Sequence, residues 1–285
     1  MNSIAAALAA ARQRIPAAEA RLLLCHLLGR NTAWLEAHRD EALDEPVSSR
    51  FSAWVQRRQE GEPVAYLLGR REFYGRDFAV SPAVLIPRPE TELLVELALQ
   101  KMAECSQPRI LDLGTGSGCL AITLALECPT AQVTAVDASA AALAVATENA
   151  RQLGAVVRFV ESDWYAALAA RDSERFDLIV SNPPYIAPGD PHLSQGDLRF
   201  EPASALAAPD NGLADLRHIV TGASDCLLPG AWLLCEHGYD QAEAMVNLLT
   251  VAGFSVIEQH RDLAGIIRVS GGCLTSVGPG FNIAE

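Results

Sequence analysis

Asn182-Pro183-Pro184-Tyr185 closes an apolar run at 176–181, and its residue types suit one chemical task. Two consecutive prolines fix φ and remove two N–H donors. The carbonyls of this stretch are then available as acceptors, and the Asn182 side chain adds an uncharged acceptor and donor. Such a set fits a planar nitrogen that carries N–H bonds. An amide nitrogen is a poor nucleophile because its lone pair is delocalised into the carbonyl. Acceptors on its N–H bonds orient it and stabilise the positive charge that develops as it attacks. The ring of Tyr185 is expected to cover the planar group. Attack of this kind needs no base beforehand, so His192 and His237 receive no role.

A second constellation lies upstream. Asp112-Leu113-Gly114-Thr115-Gly116-Ser117-Gly118 sits between the strand-like RILDL and the helix-like CLAITLALE. Glycines there let the backbone turn sharply and approach a ligand closely. The helix N-terminus behind them favours polar or anionic groups. The spacing is G-x-G-x-G, not the G-x-G-x-x-G of dinucleotide binders, and the Lys and Ser/Thr of a P-loop are missing. D-x-G-x-G-x-G resembles the loop of class I methyltransferases, which use S-adenosylmethionine. Asp137 ends the next apolar run, where a carboxylate accepts bonds from both ribose hydroxyls of a nucleoside. Its competing role is to cap the helix that follows. Asp163-Trp164 follows the third run and places an aromatic ring for adenine stacking. Asp112 either orders the loop or approaches the cationic end of the cofactor. Together the two constellations imply methyl transfer to a planar nitrogen. In-line positioning of the two reacting atoms supplies roughly 7–11 kcal/mol in well-oriented reactions. The acceptor stays open at this point: adenine N6 in DNA, guanine N2 in ribosomal RNA and protein glutamine all present such a nitrogen.

The elements that must position these residues are legible from periodicity. Apolar runs at 109–113, 132–136, 156–161, 176–181, 231–236, 254–258 and 266–270 alternate with helical stretches such as 139–153 and 213–227. That alternation predicts an α/β fold with a doubly wound, mostly parallel, seven-stranded sheet. Ligands bind at the carboxyl ends of strands in such sheets. Residues 1–72 read instead as a small all-helical domain, with Leu22, Leu23, Leu24, Leu27 and Leu28 as an apolar face and Gly29 as a stop. Residues 73–86 read as a hairpin linker, and 87–285 as the catalytic domain. A helix is expected from Thr91-Glu92 to about Met102. The tail from Gly271 has no clear period.

Composition narrows the function. Half of the 285 residues are apolar and a fifth are charged, as in a globular protein. No apolar run reaches the length that spans a bilayer. No basic n-region precedes an apolar segment at the N-terminus, so no signal peptide is read. The seven cysteines form no C-x-x-C pair, which argues against a zinc site or disulfide framework and fits a reduced cytosol. Residues 1–72 carry a net charge of +1 and residues 73–285 carry −14. A grip on naked nucleic acid usually needs a basic face. The acidic catalytic half points toward a protein or small-molecule substrate.

Further runs narrow the acceptor. Glu62 to Gly69 (EPVAYLLG), Glu72-Phe73-Tyr74-Gly75, Val84 to Glu92 (VLIPRPETE), NPPYI, Phe200-Glu201-Pro202 and Glu236-His237-Gly238 strongly resemble the HemK/PrmC family of peptide-chain release factor glutamine N5-methyltransferases. The resemblance runs from the N-terminus to about Ser270. It implies S-adenosylmethionine as cofactor and S-adenosylhomocysteine as product. It implies cofactor contacts at Gly114, Thr115, Gly116, Ser117, Gly118, Asp137, Trp164 and Asn182. It implies catalysis and substrate contact at Asn182, Pro183, Pro184 and Tyr185, with no metal. The implied substrate is the glutamine of the Gly-Gly-Gln motif in bacterial class I release factors, held in part by the helical domain. A cytoplasmic protein with no direct nucleic-acid or membrane partner follows; methylation of an exocyclic base nitrogen in DNA or RNA is the alternative. Arg88 and Glu90 either reach over the cofactor pocket or serve the helix that follows. Glu201 reads as structural. The end of the chain, GGCLTSVGPGFNIAE, departs from the short basic tail usual in the family.

Overall fold

The computed structural model describes residues 3–169 and 175–275. Five helices come first: α1 (Ile4–Ala11), α2 (Ala17–Leu28), α3 (Thr32–Ala37), α4 (Glu45–Gln59) and α5 (Val64–Leu68). They enclose their own core, built on Leu8, Leu23, Leu24, Leu35, Phe51 and Trp54. Leu22, expected on the same face, is half exposed. Gly29 ends α2 in the left-handed conformation, as its position predicts.

The hairpin lies at β1 (Arg70–Phe73) and β2 (Arg76–Ala79), not across 73–86. Tyr74 and Gly75 form its two-residue turn, both with positive φ (51° and 73°), the twist that hairpin strands require. Strand pairing runs from Arg70 to Ala79, earlier than the expected bounds. Phe73 and Phe78 are fully buried in the core of the catalytic domain beside Leu94 and Ile122. The hairpin is therefore packed as part of that domain's core.

The rest is a three-layer α/β unit. The remaining elements are α6 (Glu92–Met102), β3 (Arg109–Leu113), α7 (Cys119–Glu127), β4 (Gln132–Asp137), α8 (Ala140–Leu153), β5 (Arg158–Glu161), α9 (Ala166–Ala169), β6 (Phe176–Ser181), α10 (Ala214–Cys226), β7 (Leu227–Glu236), α11 (Ala242–Val251), β8 (Ser255–Arg261) and β9 (Ile267–Cys273). The seven strands run in the order β5-β4-β3-β6-β7-β9-β8. All neighbours are parallel except β9, which pairs antiparallel with β7 and β8. Alternate strand residues feed two cores: Ile110, Leu178, Val180 and Leu234 pack on one face, Leu111, Leu113, Ile179 and Leu233 on the other. Gly271 extends β9 beyond the expected boundary at 270. A Cβ there would come within 2.5 Å of the Leu233 carbonyl, so close strand approach needs glycine. The last ten residues of the tail, 276–285, lie outside the described residues.

The helical domain meets the catalytic domain through a small cluster of Tyr66, Val80, Val84, Ile86 and Ala142. The Tyr66 hydroxyl donates to the Val84 carbonyl at 2.7 Å. Arg58 of α4 binds Glu19 at 2.7 Å and crosses to Asp197 at 2.8 Å. Among the described residues, no helix is long and apolar enough to cross a membrane.

Candidate active site

The chain runs outward from β3 through β4 to β5, then returns to the other side of β3 as β6. That reversal is the switch point at which doubly wound sheets open a crevice. Four strand ends converge there: Leu113, Asp137, Glu161 and Ser181. The crevice is a cavity of about 420 Å³ lined by the glycine loop, Asp137, Asp163, Trp164, Asn182 and Pro184, with Arg88 and Thr91 from across it.

The glycine loop is held from behind. The N–H groups of Gly114 and Thr115 donate to the Val136 carbonyl at 3.0 and 2.9 Å. Asp112 is fully buried and accepts the Thr115 hydroxyl at 2.6 Å, which gives it the loop-ordering role. Burial pushes its carboxyl up to about 7, against the Thr115 bond that lowers it. Gly118 caps α7 at φ 81°. A Cβ there would meet Ile122 Cδ1 at 2.8 Å and Ala146 Cβ at 3.0 Å, so glycine also lets α8 pack against the loop.

Asp137 accepts from Gly116 N and Ser139 N, each at 2.8 Å. It does not cap α8; Ser139 does, accepting from Ala142 N at 3.2 Å. A carboxylate has about four lone-pair sites, so two remain for ribose hydroxyls. Trp164 stands against the start of the loop, its ring 3.4 Å from where a Gly114 Cβ would stand, and lines the same cavity. Its φ is +48°, a left-handed conformation uncommon for a bulky side chain. The Ser162 hydroxyl donates to its carbonyl at 2.8 Å. An aromatic wall, a carboxylate with spare acceptor sites and a backbone cradle fit the adenine, ribose and methionine parts of S-adenosylmethionine.

Asn182 and Pro184 face the cavity, whereas Pro183 is buried and Tyr185 stands behind the lining. The Tyr185 hydroxyl donates to Glu236 Oε1 at 3.2 Å, and its carbonyl accepts from Gln241 Nε2 at 3.0 Å. Asn182 Nδ2 donates to Thr91 Oγ1 at 3.0 Å, and the Thr91 hydroxyl donates to Glu236 Oε2 at 2.7 Å. Ser181 binds the Leu113 carbonyl at 2.7 Å and locks β6 to β3 beside the loop. Burial drives the Glu236 carboxyl up to about 7, although both hydroxyl bonds lower it. Burial and the nearby Glu236 raise the Tyr185 phenol.

Arg88 reaches the cavity and is gripped by Glu201, whose second oxygen accepts from Ile86 N at 3.0 Å. Glu201 is thus structural, as expected, but its partner is Arg88. Glu90 is exposed and stands outside the cavity lining. His237 is buried between Gly238 O at 2.9 Å and Ser270 Oγ at 2.8 Å, and His192 is an exposed partner of Asp190. The sequence reading assigned no site role to Thr91 or Glu236. Both lie in its family-like runs, but a helix-start Thr and a strand-end Glu carry no chemical signature until β7 is laid beside β6.

Residues 1–69 match the PrmC N-terminal domain and residues 89–204 the Methyltransferase small domain. The release factor glutamine methyltransferase of Bordetella pertussis is 56% identical over 91% of this chain and 96% of its own length. That of Escherichia coli is 44% identical over 90% of this chain and 91% of its own. A crystal structure of a methyltransferase from Pyrococcus furiosus covers 80% of this chain and 99% of its own, with a TM-score of 0.52 and 19% identity, which speaks to the fold. Since these identities extend over nine-tenths of the chain, the chain belongs to the release factor glutamine methyltransferase family.

Proposed function

We propose that this protein transfers the methyl group of S-adenosylmethionine to the side-chain amide nitrogen (N5) of the glutamine in the Gly-Gly-Gln motif of bacterial class I release factors. It would thereby serve translation termination in the cytoplasm. The observation that carries the reading is the uncharged Asn182 amide, anchored on Thr91 at the edge of a cavity that also holds the glycine loop and Asp137.

In this reading Gly114, Thr115, Gly116, Ser117 and Gly118 cradle the donor. Asp137 accepts the ribose hydroxyls with the sites not spent on Gly116 and Ser139, and Trp164 stacks on the adenine. When bound, the cofactor would supply an electrophilic methyl on a sulfonium: the C–S bond breaks as the N–C bond forms, S-adenosylhomocysteine departs, and the methylated nitrogen gives one of its two protons to solvent. Asn182 and the backbone of Pro183 and Pro184 accept from the two N–H bonds of the glutamine amide. They fix the nitrogen lone pair in line with the methyl group and stabilise charge as it grows there. Tyr185 supports this wall through Glu236 and Gln241. The helical domain, 1–72, serves to hold the release factor.

The test uses labelled S-adenosylmethionine with a class I release factor and with the same factor carrying Gln→Ala in its Gly-Gly-Gln motif. Label in the native factor alone is expected. Equal label in both, or label only in added DNA or RNA, rejects the reading. Asn182→Ala is expected to lower turnover by about 10²–10³-fold, the usual effect of losing one preorganised polar group.

A further inference from the structure

We infer that Thr91 and Glu236 are positioning residues that fix which end of the Asn182 side-chain amide faces the acceptor nitrogen. The inference rests on the amide-methylation reading above and extends it to residues that would not touch substrate.

The argument is one of donors and acceptors. Glu236 ends β7, next to the strand that delivers Asn182; its neighbour Cys235 pairs in register with Ser181. Thr91 and Glu236 are buried to 2% and 1% exposure. Above about pH 7, where the assay is run, Glu236 is ionised and only accepts. Its two oxygens are claimed from different sides, by Thr91 at 2.7 Å and Tyr185 at 3.2 Å, which holds it in place. The single hydrogen of the Thr91 hydroxyl is therefore spent on Glu236. What Thr91 turns to Asn182, at 3.0 Å, is a lone pair, and only Nδ2 can meet it. The other end of the amide, Oδ1, is then the one left for the cavity. That is the polarity required to accept an N–H from a primary amide. With the amide reversed, an NH₂ donor would confront the NH₂ of the substrate, and neither group would be satisfied.

Glu236→Gln makes the point in near-isosteric form. The Tyr185 hydroxyl would claim Oε1, so Nε2 would point at Thr91. The Thr91 hydrogen would then turn toward Asn182 and select Oδ1, reversing the amide. Thr91→Val removes the hydroxyl at similar volume, and Thr91→Ser keeps it.

The test measures methylation of a release factor by the full-length protein and by Thr91→Val, Thr91→Ser, Glu236→Gln, Asn182→Ala and the Thr91→Val/Asn182→Ala double variant. Thermal melts and calorimetric S-adenosylmethionine affinity are measured on each. Thr91→Val and Glu236→Gln are expected to lower kcat about 10- to 100-fold, the effect of one misplaced polar contact. Affinity for the cofactor should stay within about threefold, and Thr91→Ser should restore kcat to within about threefold of the wild type. In the Asn182→Ala background Thr91→Val should cost less than about twofold more, because its effect runs through Asn182. Full kcat in a folded Thr91→Val or Glu236→Gln protein overturns the inference, and so does an equal loss with and without Asn182. Wild-type protein that leaves the release factor unlabelled instead rejects the proposed function, which separates the two failures.

Discussion

Asn149 Nδ2 donates to the Ser117 carbonyl at 2.8 Å, so the middle of α8 holds the back of the glycine loop. The same side chain binds Ala79 twice, accepting from its N–H at 2.7 Å and donating to its carbonyl at 3.0 Å. One 1%-exposed amide thus ties the hairpin, a helix and the cofactor loop together. Asn149→Ala leaves backbone groups of Ala79 and Ser117 without their partner. Three groups lose their partner; the buried Ser117 carbonyl alone accounts for about 1–3 kcal/mol of stability, and the half-buried Ala79 pair adds to that loss. Urea denaturation checks it, and calorimetry should show weaker S-adenosylmethionine binding in the same variant. A change below about 0.5 kcal/mol would mean that water replaces the side chain there.

The glycines of the loop separate packing from ligand approach. Gly118 has φ +81° and room for no Cβ, whereas Gly116 has φ +55° and nothing within 4 Å of a built Cβ. Gly116→Ala should cost about 1 kcal/mol, the left-handed penalty alone. Gly118→Ala should cost about 2–4 kcal/mol, since overpacking is added to that penalty. Thermal melts rank the two. The ranking should reverse in cofactor affinity per unit of stability lost, because the open space at Gly116 is where a ligand approaches.

The sheet was legible because each strand is a short apolar run and each loop that matters carries an unusual residue type. Gly114 to Gly118, Asp137 and Asn182 stand at strand ends whose order follows from alternation alone. What periodicity did not reveal is contact between distant segments. Thr91, Asn182 and Glu236 sit on three separate elements: the pairing of β6 with β7 brings the last two together, and the start of α6 brings Thr91 to both. Asn149 reads as an ordinary polar helix residue until Ala79 is placed against it. Arg88 looked ambiguous, because burial and its Glu201 partner decide its role and both are tertiary. The hairpin begins earlier than expected, at Arg70, and Val80 to Ile86 follow it as irregular chain, because their apolar side chains are buried between the two domains rather than in a strand ladder.

Arg88 and Glu201 make opposite predictions for single and double variants. The Glu201 side chain has no exposed surface, and Arg88 is its ion-pair partner. Arg88→Ala leaves that carboxylate unpaired and should cost about 3–5 kcal/mol. Glu201→Gln still accepts from Ile86 N and should cost less. Adding Glu201→Gln to Arg88→Ala should therefore recover stability, the reverse of an additive pair. Denaturant unfolding of the three variants gives the sign directly, and a double variant less stable than Arg88→Ala would refute it.

The two buried carboxyls predict a pH dependence that runs against the usual acid lability. Burial raises Asp112 from 3.8 and Glu236 from 4.5, each to about 7. Asp112 faces the Thr115 hydroxyl and, farther off, Asp137; Glu236 faces Thr91, Tyr185, Arg268 and Glu90. Between their ordinary values and about pH 7 the native state keeps protons that the unfolded chain releases. The slope of unfolding free energy with pH follows protons bound unfolded minus native, so stability falls as pH rises through this window and levels off above it. Asp190 and Asp262 are lowered by bonds that favour their charged forms, so their contributions vanish only in acid, below the window. Burial lowers the His26 and His237 imidazoles, which adds an opposing rise up to about pH 6.5, so urea unfolding at about pH 5, 6, 7 and 8 reads the carboxyl decline as the difference from variants that lack it. Asp112→Asn and Glu236→Gln should each flatten it, because neither replacement titrates. An unchanged slope in both variants would mean that the two carboxyls are ionised throughout, held by their hydroxyl partners despite burial.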